Sequence, residues 1–284
     1  MSLLTPTGQA LTLVEDVAKH LPSAGRLGVA YSGGVDSAVL LAISQYVLGP
    51  DRTLAITAVS PSLAKREHAL AKDTATFIGA RLIEIETNEQ AVAGYQKNDV
   101  DRCYFCKNEM FNRIDESVIA DYDLAAVAYG ENADDTQRID RPGARAAQEH
   151  NVLRPLSDAG LSKADVRLVA RAFGLPVADK PAAPCLASRI PHGHEVSEEK
   201  LLQIEAVELE LYRLGFSDSR VRHHGDIARI ELLPAEMSLA TQPEIASAID
   251  KAAKDCGFRF AAIDLKGIQS GALTLSIMNA KGSL

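Results

Sequence analysis

Residues 32–37 read SGGVDS, hydroxyls, glycines and one carboxylate packed between the apolar run "GVAY" and the helical pattern "AVLLAIS". Backbone N–H groups at a helix start have no intrahelical acceptor, and the helix dipole there favours negative charge. Glycines let that backbone approach a ligand closely, so a strand, then Ser32, Gly33, Gly34, Val35, Asp36 and Ser37, then a helix, suits a phosphate group. The stretch is neither of the common nucleotide loops: no lysine follows as in G-x-x-x-x-G-K-[ST], and G-x-G-x-x-G spacing is absent. An ordinary strand-to-helix turn capped by Ser or Asp is the plain alternative. Sulfur forms the second set. The chain has 4 cysteines, Cys103, Cys106, Cys185 and Cys256, too few for a disulfide scaffold, which leaves catalytic, metal-binding or inert thiols.

The elements that must position these groups alternate in the first half. "RLGVAYS" (26–32), "TLAITAVS" (53–60), "RLIEIET" (81–87) and "DLAAVAYGEN" (123–132) are short, apolar and strand-like, and the stretches between them carry helical spacing, as at Leu63, Leu70, Phe77 and Ile78. Strands separated by helix-length segments predict an α/β, Rossmann-like parallel sheet covered on both faces, with ligands at the carboxyl ends of its strands. A helix over 162–173 is announced by Ser162 with Asp165 three residues on and stops at Gly174 before Pro176.

After the Pro- and Ala-rich "VADKPAAPCLASRIPHGHE" the pattern changes. Residues 197–214 read as an amphipathic helix, "SRVRHH" and "DIARIELL" flank a turn at Gly225, and a helix starts at Thr241, where "TQPE" places a capping-box Glu244 beside Pro243. "FRFAAIDL" and "ALTLSIM" read as strands. The expected organisation is an α/β domain over 1–190 and a smaller α+β domain over 195–284 for substrate binding or self-association.

The 284 residues are enough for two domains with cores of their own, and 46% hydrophobic with 24% charged residues is the composition of a soluble globular chain. No apolar run reaches the roughly 18 residues of a membrane span, and "MSLLTPTGQALTLVEDVAKH" lacks a basic start and a cleavage site, so a cytoplasmic location without membrane attachment is expected. A formal charge of -8 offers no global field for a nucleic-acid backbone; anionic small molecules would need local arginines.

SGGVDS resembles the signature of the PP-loop ATP pyrophosphatases, which include NAD and GMP synthetases, asparagine synthetase and tRNA-thiolating enzymes. The resemblance implies that Ser32, Gly33, Gly34, Asp36 and Ser37 cradle the pyrophosphate of ATP with Mg²⁺ nearby, that Val59 and Ser60 meet the adenine, and that Gly130 belongs to the same nucleotide site. Within that superfamily, "DRCYFCK" (101–107), "YGENADD" (129–135), "RPG" (141–143), "RPL" (154–156) and "CLASRIPHG" (185–193) together resemble the LarE sulfur transferases of nickel-pincer nucleotide synthesis, over nearly the whole chain. What the resemblance implies is adenylation of a pyridine carboxylate on a mononucleotide, then displacement of AMP by sulfur to leave a thiocarboxylate.

The family suggests two sulfur sources. In one form a single cysteine, matched here by Cys185, gives up its sulfur and becomes dehydroalanine; Arg189, close by in sequence, could lower its pKa and anchor an anionic substrate. In the other, three cysteines, matched by Cys103, Cys106 and Cys185, hold a [4Fe-4S] cluster whose open iron carries a sulfide from an outside donor. A tetrahedral zinc site would need a fourth ligand such as His192 or His194, and a lone C-x-x-C can also be packing or a redox pair. Cys256, before Gly257, is expected to be a buried spectator.

Other positions carry smaller expectations. Glu131 and Asp135 follow the fourth strand, where substrate or Mg²⁺ contacts form, against a solvated loop. Arg220 and Arg222 alternate on one strand face and with Arg189 would make a phosphate site, against an ordinary exposed sheet. The family places a metal-binding carboxylate near Glu208, against simple surface exposure. His223 and His224 point to opposite faces, which argues against a two-histidine metal pair. One departure touches the substrate: where the family often has D-L-x-G-x-R this chain has "DLKGIQ", with Gln269 in place of the arginine and Lys266 nearby. A synthetase using ammonia would need no cysteine, and a tRNA-thiolating enzyme would need a basic groove or an RNA-binding domain. The resemblance also implies a homo-oligomer.

Overall fold

The computed structural model describes residues 3–136 and 142–268, in two compact units. The first comprises residues up to Glu89 and Cys103–Ala183; the second comprises Gln90–Arg102 and the residues from Pro184 onward.

The first unit is built on four parallel strands, β1 (Arg26–Ala30), β2 (Thr53–Val59), β3 (Arg81–Glu86) and β4 (Leu124–Tyr129), in the order β3-β2-β1-β4. Each lies inside its sequence-predicted span, because short apolar runs between helical patterns leave little choice of period. Side chains alternate across the sheet: Leu27, Val29 and Ala55 enter one apolar cluster, while Ala30, Leu54 and Ile56 enter another. The first cluster holds α1 (Gly8–Ala18), α2 (Val35–Leu48) and α3 (Lys65–Ile78). The second takes Phe111 from α4 (Arg102–Arg113).

α2 is buried nearly all round over its first ten residues, the pattern of a helix central to a core. Strand β1 pairs with β2 on one side and β4 on the other, so the chain direction across the sheet reverses at β1. The loop after β1, SGGVDS, therefore opens at the point where α/β sheets form their ligand crevice. α5 (Lys163–Ala172) begins as its sequence implies: Ser162 accepts from the Asp165 N–H, Asp165 accepts from the Ser162 N–H, and Gly174 ends the segment at φ 72°.

In the second unit β5 (Ser219–His224) and β6 (Ile227–Leu232) pair antiparallel around Gly225 at φ 63°, and β7 (Phe260–Ile263) pairs parallel with β6. α6 (Glu198–Arg213), capped by the Ser197 hydroxyl, packs on β5. α7 (Pro243–Asp255) supplies the crossover from β6 to β7. Its start differs from expectation. Gln242 is the N-cap, without a side-chain bond, and the Thr241 hydroxyl instead donates to the Ser238 carbonyl; Pro243 at N1 presets the first turn. Cys256 follows α7 and is partly exposed rather than buried. The strand expected over 272–278 and Gln269 lie outside the described residues. Among the described residues no helix is long and apolar enough to cross a membrane.

Candidate active site

The loop after β1 is held from within. The Ser37 hydroxyl donates to the Gly34 carbonyl at 3.0 Å, accepts from the Ser32 N–H at 3.2 Å and lies 3.1 Å from the Ser32 hydroxyl. Gly33 sits at φ 71°, and a Cβ there would come 2.7 Å from the Ala71 Cβ on α3, so only glycine fits. The N-cap of α2 is Gly34, with no side-chain cap, which leaves the first-turn N–H groups facing the loop for a ligand. Gly130, after β4, seats its backbone on the same turn: a Cβ on it would lie 2.6 Å from the Ser37 nitrogen and 2.7 Å from the Asp36 carbonyl carbon.

Asp36, the loop's carboxylate, is clamped by two residues from other elements. Asn132 Nδ2 donates to Asp36 Oδ1 at 3.0 Å and to Asp135 Oδ2 at 2.9 Å, and Lys163 Nζ forms a short ion pair with Asp36 Oδ2. Lys163 is fixed at the first position of α5, its N–H bonded to Asp134 Oδ2 at 2.8 Å. SGGVDS has no cation of its own, and Lys163 supplies one. Sequence reasoning read "GLSKADVR" only as a helix start; a lysine at N1, where the dipole disfavours it, was the available signal. Mg²⁺ carried in on phosphates needs only one or two protein carboxylates, and Asp36, with Asp135 beside it, fits that requirement. Glu131 is 1% exposed, with Arg154 Nη1 3.6 Å from its Oε2, so it is a buried carboxylate and not a solvated loop residue.

At the end of β2 the Ser60 hydroxyl donates to Glu89 Oε1 at 2.5 Å, joined by Ser62 at 2.9 Å, while Thr87 donates to Glu89 Oε2 at 2.9 Å. Glu89 is thus a buried carboxylate satisfied by three hydroxyls that shape the segment expected to meet adenine. No motif marked it.

In the second unit, Cys185 is exposed and opens the turn Leu186–Arg189. Arg189 is buried beneath that turn, donating to Glu208 Oε1 at 2.9 Å and Oε2 at 3.3 Å, to the Pro184 carbonyl at 2.7 Å and to the Ser188 hydroxyl at 3.1 Å. Burial opposes its charge, but Glu208 outweighs that and, with a smaller contribution from Cys185, holds the guanidinium pKa above its ordinary value. Glu208 also accepts from the Val221 N–H at 2.9 Å, so it is a partly buried anchor between α6 and β5, not a surface side chain.

Arg220 and Arg222 are 5% and 4% exposed, so the strand face they share is interior. Arg222 pairs with Glu231 at 2.7 Å and donates to the Ser188 carbonyl at 2.9 Å. Burial, then the positive charges of Arg189 and Arg222, push the Arg220 pKa down. The three arginines predicted to form a phosphate site are therefore neighbours. Arg189 and Arg222 are each offset by a carboxylate, Glu208 and Glu231.

Cys103 and Cys106 lie one turn apart on α4, Cys103 exposed and Cys106 partly exposed. A [4Fe-4S] cluster needs thiolates that converge on it. Among the described residues no group of three or more His, Cys, Asp and Glu is placed to hold a metal ion, and Cys103 and Cys106 belong to the first unit while Cys185 belongs to the second.

A parallel sheet with SGGVDS at its switch point, an uncapped helix start and a carboxylate clamped by a lysine together define a PP-loop ATP pyrophosphatase. The asparagine synthase family profile matches residues 10–129, from α1 to the end of β4. The chain is 31% identical over 256 residues to pyridinium-3,5-bisthiocarboxylic acid mononucleotide synthase of Lactiplantibacillus plantarum, covering 90% of this chain and 91% of that protein. An uncharacterized protein of Synechocystis sp. is 39% identical over 92% of this chain and 96% of its own length, and one of Methanocaldococcus jannaschii is 30% identical over 84% and 88%. The chain belongs to the LarE family of ATP-dependent sulfur transferases, enzymes that form AMP and pyrophosphate.

Proposed function

We propose that this enzyme adenylates a carboxylate of a pyridinium dicarboxylate mononucleotide and replaces one of its oxygens with sulfur, a step in making the nickel-pincer cofactor. The observation that carries the reading is the likeness, along 90% of the chain, to a synthase whose name states a pyridinium bisthiocarboxylate mononucleotide as product. The nearness of the buried Arg189 and Arg222 to Arg220 supports a reading in which these arginines bind the mononucleotide phosphate.

The carboxylate oxygen attacks the α-phosphate of ATP, the bond to pyrophosphate breaks, and the acyl-adenylate forms. A free carboxylate is a weak electrophile; the adenylate makes AMP the leaving group. Ser32, Gly33, Gly34 and Ser37 hold the pyrophosphate, Asp36 would hold Mg²⁺, which would supply charge neutralisation on the phosphates, and Lys163 offsets charge on the departing oxygens. Ser60 and Gly130 shape the nucleotide side, and Glu131 the substrate side.

The Cys185 thiolate then attacks the acyl carbon and AMP leaves, giving a thioester. Loss of the Cys185 Cα proton with cleavage of its Cβ–Sγ bond leaves dehydroalanine and a thiocarboxylate, with no external oxidant or reductant. Cys103 and Cys106 extend this reading: with Cys185 they are the ligand type of a [4Fe-4S] cluster, which would supply an open iron for sulfide. No step here runs through it.

The test is intact-protein and peptide mass spectrometry after incubation with ATP, Mg²⁺ and the pyridinium dicarboxylate mononucleotide. Loss of one H₂S at Cys185 with thiocarboxylate product is expected. Product formed over many turnovers by anaerobically reconstituted protein, with iron lost on C103A, C106A or C185A, would replace the single-use thiol by the cluster. AMP release without sulfur incorporation would sink the sulfur-transfer reading.

A further inference from the structure

The segment Gln90–Arg102 sits in sequence between β3 and α4 but belongs to the second unit. At its centre Asn98 is fully buried in the left-handed conformation, φ 57°, which asparagine tolerates better than most residues. Its amide nitrogen lies within donating distance of three carbonyls of one loop, Pro191 at 2.9 Å, His194 at 2.9 Å and Ile190 at 3.3 Å. Its own backbone carbonyl accepts from the Gly193 N–H at 3.0 Å and from His192 Nδ1 at 3.2 Å. Its Oδ1 accepts from Arg102 Nη1 at 2.6 Å, and the same nitrogen donates to the Ala187 carbonyl at 2.9 Å. Gln96 completes the set, its carbonyl accepting from the Val196 N–H at 2.9 Å.

These bonds grip the chain from Ala187 to Val196, the stretch directly after Cys185. An exposed thiol on an irregular turn has no helix or strand to aim it, and buried hydrogen bonds to successive carbonyls do that work instead. From this geometry we infer that Asn98 and Arg102 are positioning residues for Cys185: they fix the turn that presents the thiol to the acyl-adenylate. They touch neither substrate nor nucleotide in this scheme. The inference rests on Cys185 as the sulfur donor, so the experiment separates the two ideas.

N98A and R102M would be compared with wild type in three measurements: ATP–pyrophosphate exchange, single-turnover sulfur transfer to the pyridinium dicarboxylate mononucleotide, and hydrogen–deuterium exchange by peptide. Expected are exchange of ATP and pyrophosphate within about twofold of wild type, sulfur transfer slowed at least tenfold, and faster deuterium uptake in 186–196 with β5 and β6 unchanged. R102K, which keeps a donor for Ala187, should recover part of the rate. Unchanged deuterium uptake in 186–196 would overturn the latch. Faster uptake with undiminished sulfur transfer, or equal loss of both reactions, would overturn the positioning role. If N98A does not fold, R102M and R102K decide the matter alone. Wild type that transfers no sulfur, yet whose variants loosen 186–196, would mean that the sulfur-donor reading has failed and the latch stands.

Discussion

At the scale of residues, the nucleotide site is a set of charges balanced across elements. Asp36 brings a negative charge to a loop that must accept an anion, and Lys163 and Asn132 neutralise and orient it. K163M should therefore slow ATP–pyrophosphate exchange by about 100-fold or more, the size of effect seen when one preorganised electrostatic donor is removed, while K163R retains part of the rate. An exchange rate within threefold of wild type would remove Lys163 from the reaction. SGGVDS was legible from its types and spacing alone, because few other tasks need glycines, hydroxyls and a carboxylate at a helix start. Lys163, Glu89 and Asn98 were not. Each works by reaching a group far along the chain, and a lone Lys, Glu or Asn carries no spacing that announces its partner. The arginine group was half legible: alternation placed Arg220 and Arg222 on one face, but that face being interior depends on the packing of α6 and β5.

At the scale of elements, the strands and capped helices were readable because their signals are local: apolar runs for β1 to β4, Ser162 with Asp165 for α5, Ser197 for α6. Where two caps competed, Thr241 and Gln242, proline geometry at N1 decided and the box did not form. The segment 90–102 shows no period of either kind, so nothing local tied it to residues a hundred positions on. His192, His223 and His224 also make the second unit sensitive to acid. Burial, then the charge of Arg102, lowers the His192 pKa, and burial, then Lys200, lowers that of His223, each from an ordinary value of 6.5. His224 shifts the same way, through burial and then Arg229. Above 6.5 these rings are neutral in both folded and unfolded chains. Below it the unfolded chain takes up protons first, so stability falls as pH drops from 6.5 through the depressed native values. Urea midpoints read from the second unit should decline steadily between about pH 7 and pH 5, and H223Q, whose amide can still donate to Gln203, should flatten that slope. A slope untouched by H223Q would assign the loss to other groups.

At the scale of the whole molecule, the proposed ATP site and the proposed sulfur donor belong to different units, and ligand binding should report that division. A non-hydrolysable ATP analogue with Mg²⁺ at about 100 times its dissociation constant adds about 2.7 kcal/mol to the stability of whatever folds around it. We expect the gain in transitions that follow the first unit, with D36N abolishing it; equal stabilisation of probes in both units would show that they unfold as one. The crossing of the chain has a consequence for synthesis as well. Residues 90–102 leave the ribosome well before Pro184, so Asn98 is made before the carbonyls that hold it, while α4, β4 and α5 are still to come. Its carbonyl partners arrive only with residues 190–194, and a chain cut before Pro184 would keep every strand of the parallel sheet yet carry a segment with nothing to hold. The order of translation thus completes the strands of the first unit early, and makes the second unit a late arrival that must reclaim a piece of chain made long before it.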